Sequence, residues 1–160
     1  DEEDKDIEIT IAQYVESELA NDGLQFRSPL YARMLTETAA QSADPGFVAS
    51  RYLLNNPSLD ISRETASLLS EQYHLSKSEE KKNEDADNDA NNATSTIARL
   101  LLDYKYTYIE NELRTVSKLL TDPSVTSDPE HCNEVMQQYI TLSNIQRELA
   151  KHLGDRVFVK

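Results

Sequence analysis

The second half of this chain carries two long stretches in which apolar residues recur at steps of three and four. The first stripe comprises Ile109, Leu113, Val116 and Leu120. The second comprises Val135, Tyr139, Leu142, Ile145, Leu149 and Leu153. A narrow stripe of this kind suits packing against a single partner helix. Because only a short turn separates the stripes, the sequence predicts a long antiparallel helical hairpin over 94–153, with its tip near 121–129.

The first half of the chain predicts shorter helices. Only 3 Gly and 5 Pro occur in 160 residues, which is poor in the turn residues that all-β folds need. Ser28–Pro29 and Asp44–Pro45 each combine a capping side chain with a proline that suits the first position of a helix. The predicted helices cover about 7–20, 29–41, 45–55 and 60–72. The predicted fold class is therefore all-α, with a compact bundle of short helices over 7–76 followed by the long hairpin.

Charged segments separate and flank these predicted units. Residues 1–6 are almost all charged and are predicted to be a disordered acidic start, and residues 154–160 form a tail. Residues 77–93 contain no apolar side chain larger than Ala, so we predict an acidic flexible loop that cannot offset its ordering entropy by burial. Up to Ile109 the first long helix is apolar on most sides, which predicts that this half packs on the bundle. The chain starts without Met, and we expect it to be part of a longer protein.

The overall charge and the cysteine content exclude several classes of function. With 29 acidic and 16 basic side chains the net charge is −13, so the protein's field repels phosphate and direct nucleic acid binding is not expected. No apolar run approaches the roughly 20 residues that span a bilayer, so no membrane partner is expected. Cys132 is the single cysteine, which excludes an internal disulfide and a Cys-based zinc site. We expect a cytoplasmic location.

No group of residues has the pattern of an active site. His74, His131 and His152 lie far apart, and none has the spacing of a metal-binding motif. His131 and Cys132 are adjacent, but neighbours on a helix point about 100° apart and cannot share a proton well. We therefore predict no catalytic residue, no metal ligand and no cofactor in this chain.

Three further patterns have a structural interpretation. Asp85, Asp87 and Asp89 have the spacing that begins a calcium loop, but Ala90 replaces the required Gly and Thr96 the bidentate Glu, which favours a solvated acidic loop. The even spacing within Tyr104–Tyr108 spreads three rings around a helix and favours core packing over a stacking platform. Near the end of the last helix, Arg147–His152 carries cations that face the negative helix pole, and Gly154 is placed to cap it.

The predicted hairpin has two interpretations, namely internal packing alone, or internal packing plus an exposed surface that docks on another protein. Several apolar side chains lie off the main stripes, which favours docking. The residues predicted to bind a partner are Leu119, Leu120, Val125, Val135, Met136, Tyr139 and Ile140.

The order of these features resembles a known family. "SPLYARML", then "LDISRETASLLSEQYHLSKSE", then a long helix and the closing "NIQRELAKHLGDRV" are similar to the C-terminal domain of bacterial replicative DNA primase. The resemblance covers nearly the whole chain from Ile7 onward. Its most specific runs have the patterns SxxxxxLLSExYxLS and IQxxLAKxLGxR. The acidic stretch 77–92 has no counterpart in the family pattern.

The resemblance implies a non-catalytic domain that binds the N-terminal domain of the replicative helicase. It would tether the RNA primer-synthesising core of a primase, a DNA-directed RNA polymerase, to the replication fork. The zinc and magnesium sites of such an enzyme would lie in upstream domains that this sequence does not contain, so no cofactor is expected here. An unrelated helical domain that responds to calcium or dimerises as a scaffold is the alternative.

Overall fold

A computed structural model describes residues 9–79 and 89–154 of the chain. All regular elements in these two ranges are helices, so the predicted all-α class is confirmed. They are α1 (Ile11–Asn21), α2 (Pro29–Gln41), α3 (Ala49–Leu54), α4 (Leu59–Glu79), α5 (Asp89–Leu119), α6 (Pro123–Thr126) and α7 (Pro129–Leu153). The chain divides into two compact units, with α1–α4 in unit 1 and α5–α7 in unit 2. No helix of the described ranges is both long and apolar enough to cross a membrane.

Local side-chain chemistry sets both ends of α1. At its start the Thr10 hydroxyl accepts a hydrogen bond from the Gln13 backbone N–H at 3.3 Å, and the Gln13 side chain accepts one from the Thr10 N–H at 3.1 Å. This reciprocal pair satisfies two of the N–H groups that a helix start leaves unpaired. At its end Gly23 adopts a positive φ of 65°, which lets the Leu24 N–H reach the Leu19 carbonyl at 2.8 Å.

Helix α2 is the centre of unit 1, because it contacts each of the other three helices. The predicted start signal operates here, since the Ser28 hydroxyl accepts from the Tyr31 N–H at 3.4 Å and Pro29 takes the first helical position. Side chains from three helices are buried in unit 1, namely Leu19, Met34, Ala39 and Ile61. The predicted bundle of short helices therefore has its own apolar core.

Three predicted helix boundaries in unit 1 are wrong. Helix α1 begins at Ile11 and not at residue 7, because Thr10 caps its first turn. Helix α3 begins at Ala49 and not at Pro45, because the turn that the Phe47 N–H closes onto the Asp44 carbonyl at 2.9 Å is followed by Val48, whose backbone is extended (φ −124°, ψ 108°). Helix α4 continues to Glu79 although the sequence predicts its end near Gln72.

The predicted loop over 77–93 is also wrong at both ends. Residues 77–79 belong to α4, and α5 already begins at Asp89, so that 94–96 lie inside the helix and do not cap it. Backbone hydrogen bonds continued from the neighbouring helical turns override the polar composition here. The rest of that segment, 80–88, lies outside the described residues, as do the predicted acidic start 1–6 and the tail positions 155–160.

Unit 2 consists of two long helices that pack on each other, with the short α6 packed on α7. Its core is a cluster of Val116, Val125 and Val135, to which Leu120, Cys132 and Leu142 add partly buried surface. Farther along the two helices, the Gln146 side chain donates to the Tyr106 hydroxyl at 3.4 Å. Val116 near the end of α5 therefore lies beside Val135 near the start of α7, whereas Tyr106, earlier in α5, lies beside Gln146, later in α7. The two helices run in opposite directions.

The Glu37 carboxylate links α2 to the turn between α3 and α4. The Glu37 carboxylate on α2 accepts from the Arg33 guanidinium at 2.7 Å and from the Asn56 side-chain amide, between α3 and α4, at 2.6 Å. The bonds to Arg33 and Asn56 favour the ionised form and lower the pKa of Glu37 below its ordinary value. Ionised Glu37 therefore stabilises the folded state.

We expect Glu37→Gln to lower the free energy of unfolding of unit 1 at neutral pH. Because the folded-state pKa of Glu37 is lowered, its contribution is present above the ordinary pKa of about 4.5 and is lost as the pH falls through the folded-state pKa. Urea denaturation of both proteins should therefore show a difference in stability at pH 7 that shrinks at pH values below about 4.5. A difference that stays constant with pH would contradict this role.

Candidate protein-binding surface

The N-terminal end of α7 has the same combination of a capping side chain and a following proline that begins α2. The Asp128 carboxylate accepts hydrogen bonds from the backbone N–H groups of Glu130 at 3.1 Å and His131 at 3.4 Å, and Pro129 takes the first helical position. At the other end Gly154 has a φ of 67° and caps the helix. These caps set the two ends of α7.

The structure divides the seven predicted partner-binding residues into two groups. Val125 and Val135 are only 3% and 4% exposed, and Leu120 is partly buried against them. The prediction that Val125 and Val135 contact a partner is wrong. The two valines fill the space between α5, α6 and α7 and cannot reach a partner in this conformation. They stabilise unit 2 instead.

The remaining four predicted residues lie on the surface. Leu119 is 40% exposed, Met136 47%, Tyr139 38% and Ile140 45%. Helical geometry brings Met136, Tyr139 and Ile140 together, because residues three and four apart are neighbours on a helix surface. This exposed group, Met136, Tyr139 and Ile140 on α7, is called the α7 apolar face below.

Sequence reasoning missed one member of the exposed apolar surface. Ile145 is 41% exposed although the sequence pattern assigns it to the buried stripe. Ile145 follows Val135 by ten residues, so at about 100° per residue its side chain points roughly 80° away from that of Val135. Summing the rotation from Val135 to Ile145, instead of counting steps of three and four, would have predicted that Ile145 is exposed.

Two carboxylates near the ends of α7 have lowered pKa values. The Ser124 hydroxyl and backbone N–H both donate to the Asp122 carboxylate, and these bonds lower the pKa of Asp122. At the far end of α7 the Lys151 ammonium lies 2.7 Å from the Glu148 carboxylate and lowers the pKa of Glu148. Both carboxylates are therefore ionised at neutral pH, one near each end of the helix.

His131 and Cys132, which are adjacent in the sequence, make different contacts. The His131 ring lies 3.6 Å from the Glu134 carboxylate, whereas Cys132 packs against the valine core. Among the described residues, no group of three or more His, Cys, Asp or Glu side chains is placed to hold a metal ion. Asp85 and Asp87 of the alternative calcium loop lie outside the described residues.

The tyrosines of α5 contribute to packing. The rings of Tyr104 and Tyr108 are 6.3 Å apart between centroids and inclined at 53°, and the Tyr106 hydroxyl accepts from Gln146. Tilted rings at this distance attract each other through their quadrupoles. Lys105 in the same turn is 7% exposed, which no sequence pattern indicates.

Unit 1 carries a separate apolar groove of about 320 Å³. Its lining consists of Phe26, Tyr31, Met34, Leu35 and Thr38. The Tyr31 hydroxyl is already committed, because it donates to the Glu64 carboxylate at 2.5 Å. Small-molecule sites usually combine an apolar lining with several converging polar groups, and this groove offers little beyond the Thr38 hydroxyl. It is a weaker candidate site than the α7 apolar face.

These observations define the class of protein: an all-α protein whose second unit stabilises itself through one face of α7 and exposes apolar side chains on another. The chain belongs to the family DUF8430, a domain of unknown function, whose family model matches residues 1–157. Comparison with curated proteins and with solved structures yields no match.

Truncation of α7 should separate its stabilising face from its exposed face. Val135→Ala should lower the free energy of unfolding by about 1–3 kcal/mol, because it removes two buried methyl groups and leaves a cavity. Ile140→Ala removes more atoms, yet it should change stability by less than about 0.5 kcal/mol, because Ile140 is half exposed and Ala favours helix. Urea denaturation of the two variants measures both effects, and equal losses would contradict the assignment.

Proposed function

We propose that this chain is a non-catalytic protein-protein interaction domain that binds the N-terminal domain of a replicative helicase. In this role it tethers the primer-synthesising core of a DNA primase to the replication fork. The observation that carries the proposal is the exposure of Met136, Tyr139 and Ile140 on a helix whose packing is already completed by Val135 and its neighbours. Apolar side chains that are not needed for stability are available for a partner.

The sequence resemblance supplies the identity of the proposed partner. The first similar stretch begins at the cap of α2, the second covers α4, and residues 144–153 of the third form the last turns of α7. They are thus distributed over both units, in the chain order found in the C-terminal domain of bacterial primase. This supports a helicase-binding role for the domain as a whole, with the α7 apolar face as the proposed point of contact.

The proposed mechanism is tethering. Two proteins that are linked meet at an effective concentration that reaches the millimolar range for short flexible linkers. The domain would therefore raise the frequency with which primase acts at the fork without taking part in nucleotide chemistry. Large apolar anchors such as Met136, Tyr139 and Ile140 would supply much of the binding free energy, at roughly 1.5–3 kcal/mol for each side chain that becomes fully buried.

The test compares matched substitutions of exposed apolar residues. Leu119→Asp and Ile140→Asp should each weaken binding to the helicase N-terminal domain by about 2 kcal/mol or more, since a carboxylate in an apolar contact loses its hydration. Leu100→Asp is the control, because Leu100 also lies on α5 but is 60% exposed and about five turns away from Leu119.

Isothermal titration calorimetry measures the affinities, and circular dichroism confirms that each variant keeps its helical content. The surface assignment would be overturned by variants that fold normally and bind as tightly as the unchanged protein. If light scattering instead shows dimers of the unchanged protein, and Ile140→Asp makes it monomeric, the result would support the alternative that the domain is a dimerising scaffold.

A further inference from the structure

The surface of α7 differs from the rest of the protein in its lack of charge. Charged residues make up 28% of the chain, yet the twelve residues from Val135 to Gln146 contain none. Eight of these twelve are exposed, namely Met136, Gln137, Gln138, Tyr139, Ile140, Thr141, Asn144 and Ile145. A solvated helix face normally carries both signs of charge. We call these eight residues the uncharged surface.

An uncharged surface of this composition has a physical advantage when it is covered by another protein. Moving a charged group out of water costs several kcal/mol unless it is paired with good geometry. Amides, hydroxyls and apolar groups avoid most of that cost. The centres of protein interfaces are accordingly depleted in charge and enriched in Tyr and Met, and this surface contains Met136 and Tyr139.

The end of unit 2 next to this surface is negative. From Leu119 to Gln146 there is no Lys or Arg, whereas Asp122, Asp128, Glu130 and Glu134 are all present. The start of α7 contributes only about half a positive charge, so the carboxylates determine the sign of the potential. Glu134 is 72% exposed and lies one helical turn before Gln137 and Gln138, at the edge of the uncharged surface.

From this arrangement we infer the chemistry of the occupant: a partner protein surface with an apolar, uncharged centre and with Lys or Arg along the edge that faces the 119–134 end of unit 2. The inference rests on the proposed function and specifies the partner surface more closely. A charged partner group at the centre would meet no counter-charge on α7, whereas basic groups at the edge would meet Glu134 and its acidic neighbours. A second copy of this chain is a poorer match, because each copy carries a net charge of −13.

The centre is tested with a nearly isosteric substitution. Gln137→Glu should weaken binding to the N-terminal domain of the replicative helicase of the same organism at least about tenfold, because the new carboxylate is buried without a partner. Gln72→Glu makes the same change at an exposed position of α4 and should alter affinity less than about twofold. Tighter binding of Gln137→Glu would indicate a basic centre in the partner surface and overturn the inference. Unchanged binding would also overturn it.

The edge is tested by charge reversal at two salt concentrations. Glu134→Lys should weaken binding about three- to tenfold at roughly 50 mM salt, and the loss should largely disappear at roughly 500 mM, where the charges are screened. Glu71→Lys on α4 changes the net charge by the same amount at another exposed position and should have a smaller effect. Equal effects of the two reversals would show that only net charge matters and would overturn the basic edge.

The failures of the two proposals are distinguishable. If the unchanged chain does not bind the helicase domain in calorimetry, the proposed function fails and the inference falls with it. If it binds but the variants do not behave as stated, only the inferred partner chemistry fails. Dimers of the unchanged chain in light scattering that Gln137→Glu dissociates would identify a second copy as the occupant and overturn the inference.

Discussion

The contact between the valines of α5, α6 and α7 is the interaction on which unit 2 depends. Val116, Val125 and Val135 are 2–4% exposed and form one cluster. The three side chains come from three different helices, so the cluster joins α5, α6 and α7. The cluster also fixes the rotation of α7 about its own axis, and that rotation determines which residues α7 presents to solvent.

Because one face of α7 is responsible for stability, another face is free to vary in chemistry. Met136, Tyr139 and Ile140 lie among uncharged polar side chains, while the acidic residues are concentrated toward the start of the helix. Stability and recognition are thus assigned to different faces of the same element. This separation is what allows an apolar surface to remain exposed without weakening the fold that supports it.

The starts of two helices could be predicted from a capping side chain followed by proline. The bounds of α2 and α7 follow from Ser28–Pro29 and Asp128–Pro129, whose side chains accept the expected backbone hydrogen bonds. The same pattern misled at Asp44–Pro45, where the extended backbone of Val48 ends the turn before a helix can continue. At Asp122 it was overlooked, although Asp122 caps α6 in the same way.

By itself the sequence determined that this protein is built from helices, that two long amphipathic helices follow a group of shorter ones, and that α7 has a stretch without charge. Tertiary structure alone decided that Val125 on α6 fills the core beside Val116 and Val135. The reason is physical. Helical periodicity fixes the angle between two side chains on one helix, but the direction that faces inward is set by the packing of α5 and α6 against α7.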